Sequence, residues 1–269
     1  MLLSTYARSI LMIVVISLAS KACQEDRTAV PPTESFEADT ASSAELGFDG
    51  RTTNGDVAAN NLSSQITGRT TAAQLRPTDM VIRAQLVELL LSRAQYLGRY
   101  SDFDHVILIA HDALIQTENT DDAKLIRAQV ASALHQFVLA QDILSTLREP
   151  NRIAEVLAST IRLATNTDLL SVRAARQERA EAYPNYANLS AWAAVESGLG
   201  NYEQADALYI RALQSYGDVS PFPVAWIQFQ RGVMWAESAD QPEKALPLYR
   251  EAVARLPGYV VANVHLAEL

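Results

Sequence analysis

The sequence predicts an all-α fold, a solenoid of stacked helix-turn-helix units behind a disordered linker. Three observations predict it. From Thr78 onward the chain is dense in Ala, Leu, Arg, Gln and Glu, with neither Gly-rich loops nor alternating Val/Thr/Tyr runs, which is the texture of helices rather than strands. Two segments align without gaps, NYEQADALYIRAL at 201–213 and QPEKALPLYREAV at 241–253. The spacing that these two share then recurs along the chain at nearly constant intervals.

The front end reads as an address. Residues 10–19 (ILMIVVISLA) form a run of ten, apolar except for Ser17, preceded by a segment whose only charged side chain is Arg8. That is the layout of a secretory signal peptide, and the run is too short for a permanent span, which takes about 20 apolar residues. Residues 1–22 are therefore excluded from the fold. Two cleavage sites compete: Ser20-Lys21-Ala22 suits an ordinary signal peptidase, while Ala22-Cys23 resembles a bacterial lipobox, with Ser20 and Lys21 departing from its pattern. Cys23 is the only cysteine in the chain, so an intramolecular disulfide is excluded and acylation, an intermolecular bridge or an idle thiol remain. The expected mature chain begins at Cys23, lipid-anchored. Gln24 after it resembles lipoproteins sent to the outer membrane; the alternative is a soluble periplasmic protein.

Residues 23–77 are expected to be a flexible tether. The stretch is rich in Ser, Thr, Ala, Asn and Gly, carries eight acidic residues against four arginines over 24–76, and shows no sustained apolar period, so it has little surface to bury against its ordering entropy. As a coil of about 50 residues its reach would be on the order of 40 Å. A couple of short helices, for instance around residues 56–62, are the alternative.

Residues 78–269 are expected to form the helical body, long enough for a sizeable core. Both aligned segments carry Ala-x3-Tyr-x2-Ala: Ala205, Tyr209 and Ala212, then Ala245, Tyr249 and Ala252. Separations of four and three residues place each set on one helical stripe, where small residues admit a neighbouring helix and the aromatic fills the gap between them. Weaker versions stand at Val106, Ala110 and Ala113, at Ala140, Leu144 and Leu147, and at Val172, Arg176 and Arg179. The first members are separated by 34, 32, 33 and 40 residues. LGRY at 97–100 and LGNY at 199–202 put Gly where a helix must stop. The longest interval contains GDVSPFPVA at 217–225, expected as an extended loop, and Pro247 is expected to kink its helix or shift its start.

On these residues the chain resembles the tetratricopeptide repeat, a helix-turn-helix unit of 34 residues. The resemblance implies a right-handed superhelical solenoid of about five helix pairs, the last incomplete, so that the apolar C-terminal helix YVVANVHLAEL is covered by more chain, a partner or a second copy. It also implies that the first helices of successive pairs line a concave groove for peptides. Carried over residue by residue, the groove would present Gln85, Glu88 and Ser92, then Gln129 and Ser132, then Trp226 and Phe229. Two aromatics three apart on an amphipathic helix also suit a core.

Catalytic chemistry finds no foothold. The four His are not at metal-ligand spacing, and no nucleophile elbow, phosphate loop or dinucleotide fingerprint occurs. No metal or cofactor is expected, and the chain is read as a non-enzyme. With 22 basic and 31 acidic residues, net −9, nucleic acid is excluded as a partner. The arginines at 173, 176 and 179 form the single basic cluster, either a clamp for carboxylates or a solvated face balanced by Glu178 and Glu181. The expectation is an interaction scaffold of the bacterial envelope for other envelope proteins or peptides, touching the membrane through its N-terminal lipid alone. Its rivals are the helical accessory part of a longer enzyme and a structural homo-oligomer paired through the C-terminal helix.

Overall fold

The computed structural model describes residues 46–269; the expected leader, Cys23 and the first part of the expected tether lie outside the described residues. The helices are α1 (Gly55–Leu75), α2 (Met80–Leu97), α3 (Ser101–Gln116), α4 (Asp121–Ala133), α5 (Phe137–Ser145), α6 (Arg152–Ala164), α7 (Leu169–Ala182), α8 (Tyr186–Gly198), α9 (Tyr202–Gln214), α10 (Pro221–Val233), α11 (Pro242–Arg255) and α12 (Val260–Glu268). No strand occurs among the described residues. From α2 to α11 they form five pairs, each helix packed chiefly on its neighbours in sequence.

Local chemistry sets the alternation of first and second helices. Four first helices open on a polar side chain that accepts from otherwise unpaired amides: Asp79 for α2, Thr120 for α4, Asn151 for α6 and Asn185 for α8. Each such cap stabilises by about 1 kcal/mol. α10 instead starts on Pro221, at a position where the missing N–H loses no bond. The second helices have no side-chain cap. Each follows a short turn with left-handed backbone: Gly98, His135, Asn166 with Asp168, Gly200 and Asp240. Only two of these five turns use glycine, the residue that adopts the conformation without strain.

Small-residue stripes bring the second helices close. Ala205, Tyr209 and Ala212 on α9, and Ala245, Tyr249 and Ala252 on α11, are all within 2% of full burial. Val106, Ala110 and Ala113 play the same part on α3. On α10, Gly232 lies so near the Tyr249 ring that any Cβ there would overlap it. Arg93 clamps α2 to α3 through a paired bond to the buried Asp102, at 2.7 and 2.8 Å.

The structure departs from the sequence expectation in four places. The folded body begins well before residue 78: α1 is a 21-residue helix within the stretch expected to be a tether. Its Ala58, Leu62 and Ile66 form a thin stripe packed on α2, and the hydroxyls of Ser63, Ser64, Thr67, Thr70 and Thr71 bond back to carbonyls four residues earlier, so each finds a partner within the helix. The extended loop expected at 217–225 ends at Ser220, and the extra residues of that repeat instead lengthen α10 by a π-helical turn, Met234–Ser238. α11 runs through Pro247. On α5 the helix ends at Ser145, so Leu147 falls beyond it, and Ile143 joins Ala140 in the buried set.

The two ends of the array meet. Tyr96 at the end of α2 packs edge-on against Tyr259 before α12 and tilted against Phe222 at the start of α10, with ring centroids 5.1 and 5.2 Å apart. A Cβ on Gly98 would stand 2.9 Å from Val260, and one on Gly55 would stand 2.7 Å from the Arg255 carbonyl.

Candidate functional site

Two surfaces have the character of binding sites. The first is a polar band on the first helices of the leading pairs. Gln85, Glu88 and Ser92 share one stripe of α2, half-buried; Gln129 is half-buried and Ser132 buried on α4, which packs on α2. The Gln129 side chain hydrogen-bonds the Glu88 carboxyl, yet burial dominates and pushes that group up from 4.5 to about 7. A carboxyl that is part protonated at neutral pH can both donate to and accept from a ligand.

Trp226 and Phe229 belong elsewhere. Both are buried in the main core: Trp226 meets Tyr209 edge-on, and Phe229 is ringed by Tyr249, Tyr259 and His265 at centroid distances of 5.1 to 5.8 Å. They act as packing anchors, Trp226 against α9 and Phe229 against α11 and the start and side of α12. Phe229 also helps to line a cleft of about 290 Å³ with Leu91, Gln95, Tyr100, Ala133 and Tyr259, at the small end of ligand-pocket sizes.

The second surface was not anticipated from sequence. Residues 47–54 carry no helix or strand and cross α9, α10 and α11 as a strap. The Leu46 carbonyl accepts from Gln228 Nε2 and from Arg231 Nη1, both at 2.8 Å. The Gly50 carbonyl accepts from Arg255 Nη1 at 2.7 Å, and the Thr53 amide donates to the Val219 carbonyl at 2.7 Å. Between these bonds the Phe48 ring is buried under the Arg255 guanidinium, 5.0 Å away, and beside Tyr216. Gly47 has φ +73°, and a Cβ there would stand 2.8 Å from Ile210, so both backbone and contact require glycine. Arg231 is held in place by Asp206, which accepts at 2.7 and 3.1 Å and also takes the Trp235 indole N–H. Most of these bonds go to main-chain atoms, which leave no residue-type signal in the strap itself.

The arginine cluster on α7 is fully engaged in structure. Arg173 bonds the buried Glu196 at 2.6 Å. Arg176 is buried against Ser159, Thr160 and the Ala191 carbonyl, and burial pushes its guanidinium down to about 10. Arg179 donates to Asn188. This replaces both sequence readings, the carboxylate clamp and the solvated face. Among the described residues no group of His, Cys, Asp and Glu is arranged to hold a metal, and no helix is long and apolar enough to cross a membrane.

No protein-family profile and no curated protein matches the sequence. The likeness is in fold: a tetratricopeptide repeat protein from Parabacteroides merdae superposes with a TM-score of 0.55, covering 77% of each chain at 12% sequence identity. The fold is that of a tetratricopeptide-type helical solenoid.

Proposed function

We propose that this chain is a protein-interaction scaffold of the bacterial cell envelope, exported and lipid-anchored through Cys23 to the outer membrane. The observation that carries the scaffold reading is the fold itself: its solenoid architecture, shared with a tetratricopeptide repeat protein, presents broad surfaces built from successive repeats. The polar band of Gln85, Glu88, Ser92, Gln129 and Ser132 is the binding face on the inner helices. Such a face takes a protein segment by side-chain hydrogen bonds rather than by apolar burial. The layout of residues 1–23 supports the address.

Intact-mass measurement of the membrane-extracted product from a Gram-negative host tests the anchor. A mass of the chain from Cys23 plus diacylglycerol and a fatty acyl group is expected; an unlipidated chain in the soluble fraction overturns it. A photo-crosslinking residue in place of Gln85 or Gln129 tests the face. It is expected to form adducts with envelope proteins that the same residue at the exposed Arg127 does not form, and equal labelling at both positions overturns it.

A second reading is self-association through α12, where Val260 and Val264 are 38% and 48% exposed. Sedimentation at rising concentration checks it, and a monomer throughout removes it.

A further inference from the structure

The strap of residues 46–54 is held mainly through its main chain. Gln228 and Arg231 are almost completely buried one turn apart on α10, and both direct donors at a single carbonyl some 180 residues away in sequence. With the strap lifted, the Gln228 and Arg231 donors exchange that carbonyl for solvent. The surface across α9, α10 and α11 thus forms a channel that receives an extended chain. Its recognition elements read main chain at Leu46 and Gly50, one aromatic at Phe48, and close approach at Gly47. Main-chain bonds for affinity and a single side-chain pocket for selectivity are the chemistry of an extended-peptide receptor.

We propose that the channel across α9, α10 and α11 is a receptor for an extended segment of the form apolar-Gly-aromatic-x-Gly, filled in cis by residues 46–54 and taken by a partner protein's segment of the same chemistry, which displaces the strap. This surface is separate from the polar band on α2 and α4, and the proposal stands without the envelope reading. The strap is suited to leaving. It is held by the buried Phe48 ring, the partly buried Leu46 and a few hydrogen bonds, with Asp49 and Arg51 exposed, and segments with so few apolar contacts open at low free energy. A second copy is the poorer occupant: Asn54 caps α1 directly and Gly55 sits against the Arg255 carbonyl. The chain has no slack there to carry its strap to another molecule while α1 stays packed.

The test uses the full chain carrying Phe48→Ala and a fluorescein-labelled peptide of residues 46–54 (LGFDGRTTN). Apparent affinity scales with the fraction of molecules whose channel is open. The variant is expected to bind the peptide saturably and at least tenfold more tightly than the unaltered chain, and a peptide with its own Phe48→Ala change is expected not to bind. A cooperatively melting variant that takes up no peptide, or takes up the altered peptide equally, overturns the proposal. Where the variant fails to fold, hydrogen exchange on the unaltered chain decides: excess peptide is expected to accelerate exchange in residues 46–54 while α10 and α11 stay protected, and unchanged exchange overturns the proposal. A concentration-dependent dimer of the unaltered chain that Phe48→Ala abolishes would assign the channel to a second copy and overturn the partner assignment.

Discussion

Glu88 makes the stability of this protein fall as pH rises, and Glu88→Gln removes the effect. Burial lifts its carboxyl from 4.5 to about 7 in the folded chain, against the opposing hydrogen bond from Gln129. Folding therefore favours the neutral form. The stability this provides is fully present below pH 4.5 and is lost progressively as pH climbs toward 7, because the unfolded chain ionises first. At about 1.4 kcal/mol per pH unit the interval amounts to about 3 kcal/mol; water reaching the half-buried group brings the expectation to about 2 kcal/mol. The amide of Glu88→Gln keeps a hydrogen bond to Gln129 and cannot ionise. Urea unfolding of both chains at pH 5 and pH 8 isolates the term, since every other group titrates alike in the two. The variant is expected to match the unaltered chain at pH 5 and to exceed it by about 2 kcal/mol at pH 8. A difference that does not change between the two pH values would refute the reasoning, as would a variant less stable at pH 8.

Two further substitutions probe the packing. Gly232→Ala puts a methyl into the Tyr249 ring and is expected to cost about 1–3 kcal/mol despite the better helix propensity of Ala; a midpoint equal to or above that of the unaltered chain would show that α10 and α11 can separate freely. Glu196→Ala strips the buried partner from Arg173, the Trp192 indole N–H and the Asn201 amide. A loss of about 2–4 kcal/mol is expected, read by thermal melting, and a loss below about 0.5 kcal/mol would mean that water replaces the carboxylate.

Legibility of the fold from sequence followed how tightly each helix pair is packed. α9 and α11 declare themselves because close approach demands alanine at both ends of an aromatic, and few sequences satisfy that by accident. The α5 stripe misled by one position since the helix stops at Ser145, before Leu147. α1 showed only as the alternative of short helices around residues 56–62, because its composition is polar: one apolar residue per turn is enough when α2 covers only a narrow face. The turns at His135 and Asp240 were silent because left-handed backbone there is carried by residues other than glycine. Of the candidate site, the stripe on α2 and α4 was placed by the repeat pattern, which knows only which helix is first. That same rule failed for Trp226 and Phe229, because nothing local in α10 records that Tyr209 of α9 and the rings of Tyr249, Tyr259 and His265 close over them. The strap was illegible for a different reason, its bonds being made by main-chain carbonyls.

The contact between α2 and α12 changes how the molecule should come apart. A linear stack of repeats behaves as a one-dimensional chain, fraying from either end and losing units one after another. Here the aromatic clasp of Tyr96, Phe222 and Tyr259 fastens the first pair to the last, so neither end can peel away without the other. Unfolding then becomes a single cooperative event, with a steeper denaturant dependence than any pair of helices could produce alone. Closing the clasp also brings together residues more than 150 positions apart, a loop that must be gathered before its contacts reward it, and slow folding is the kinetic signature of that arrangement.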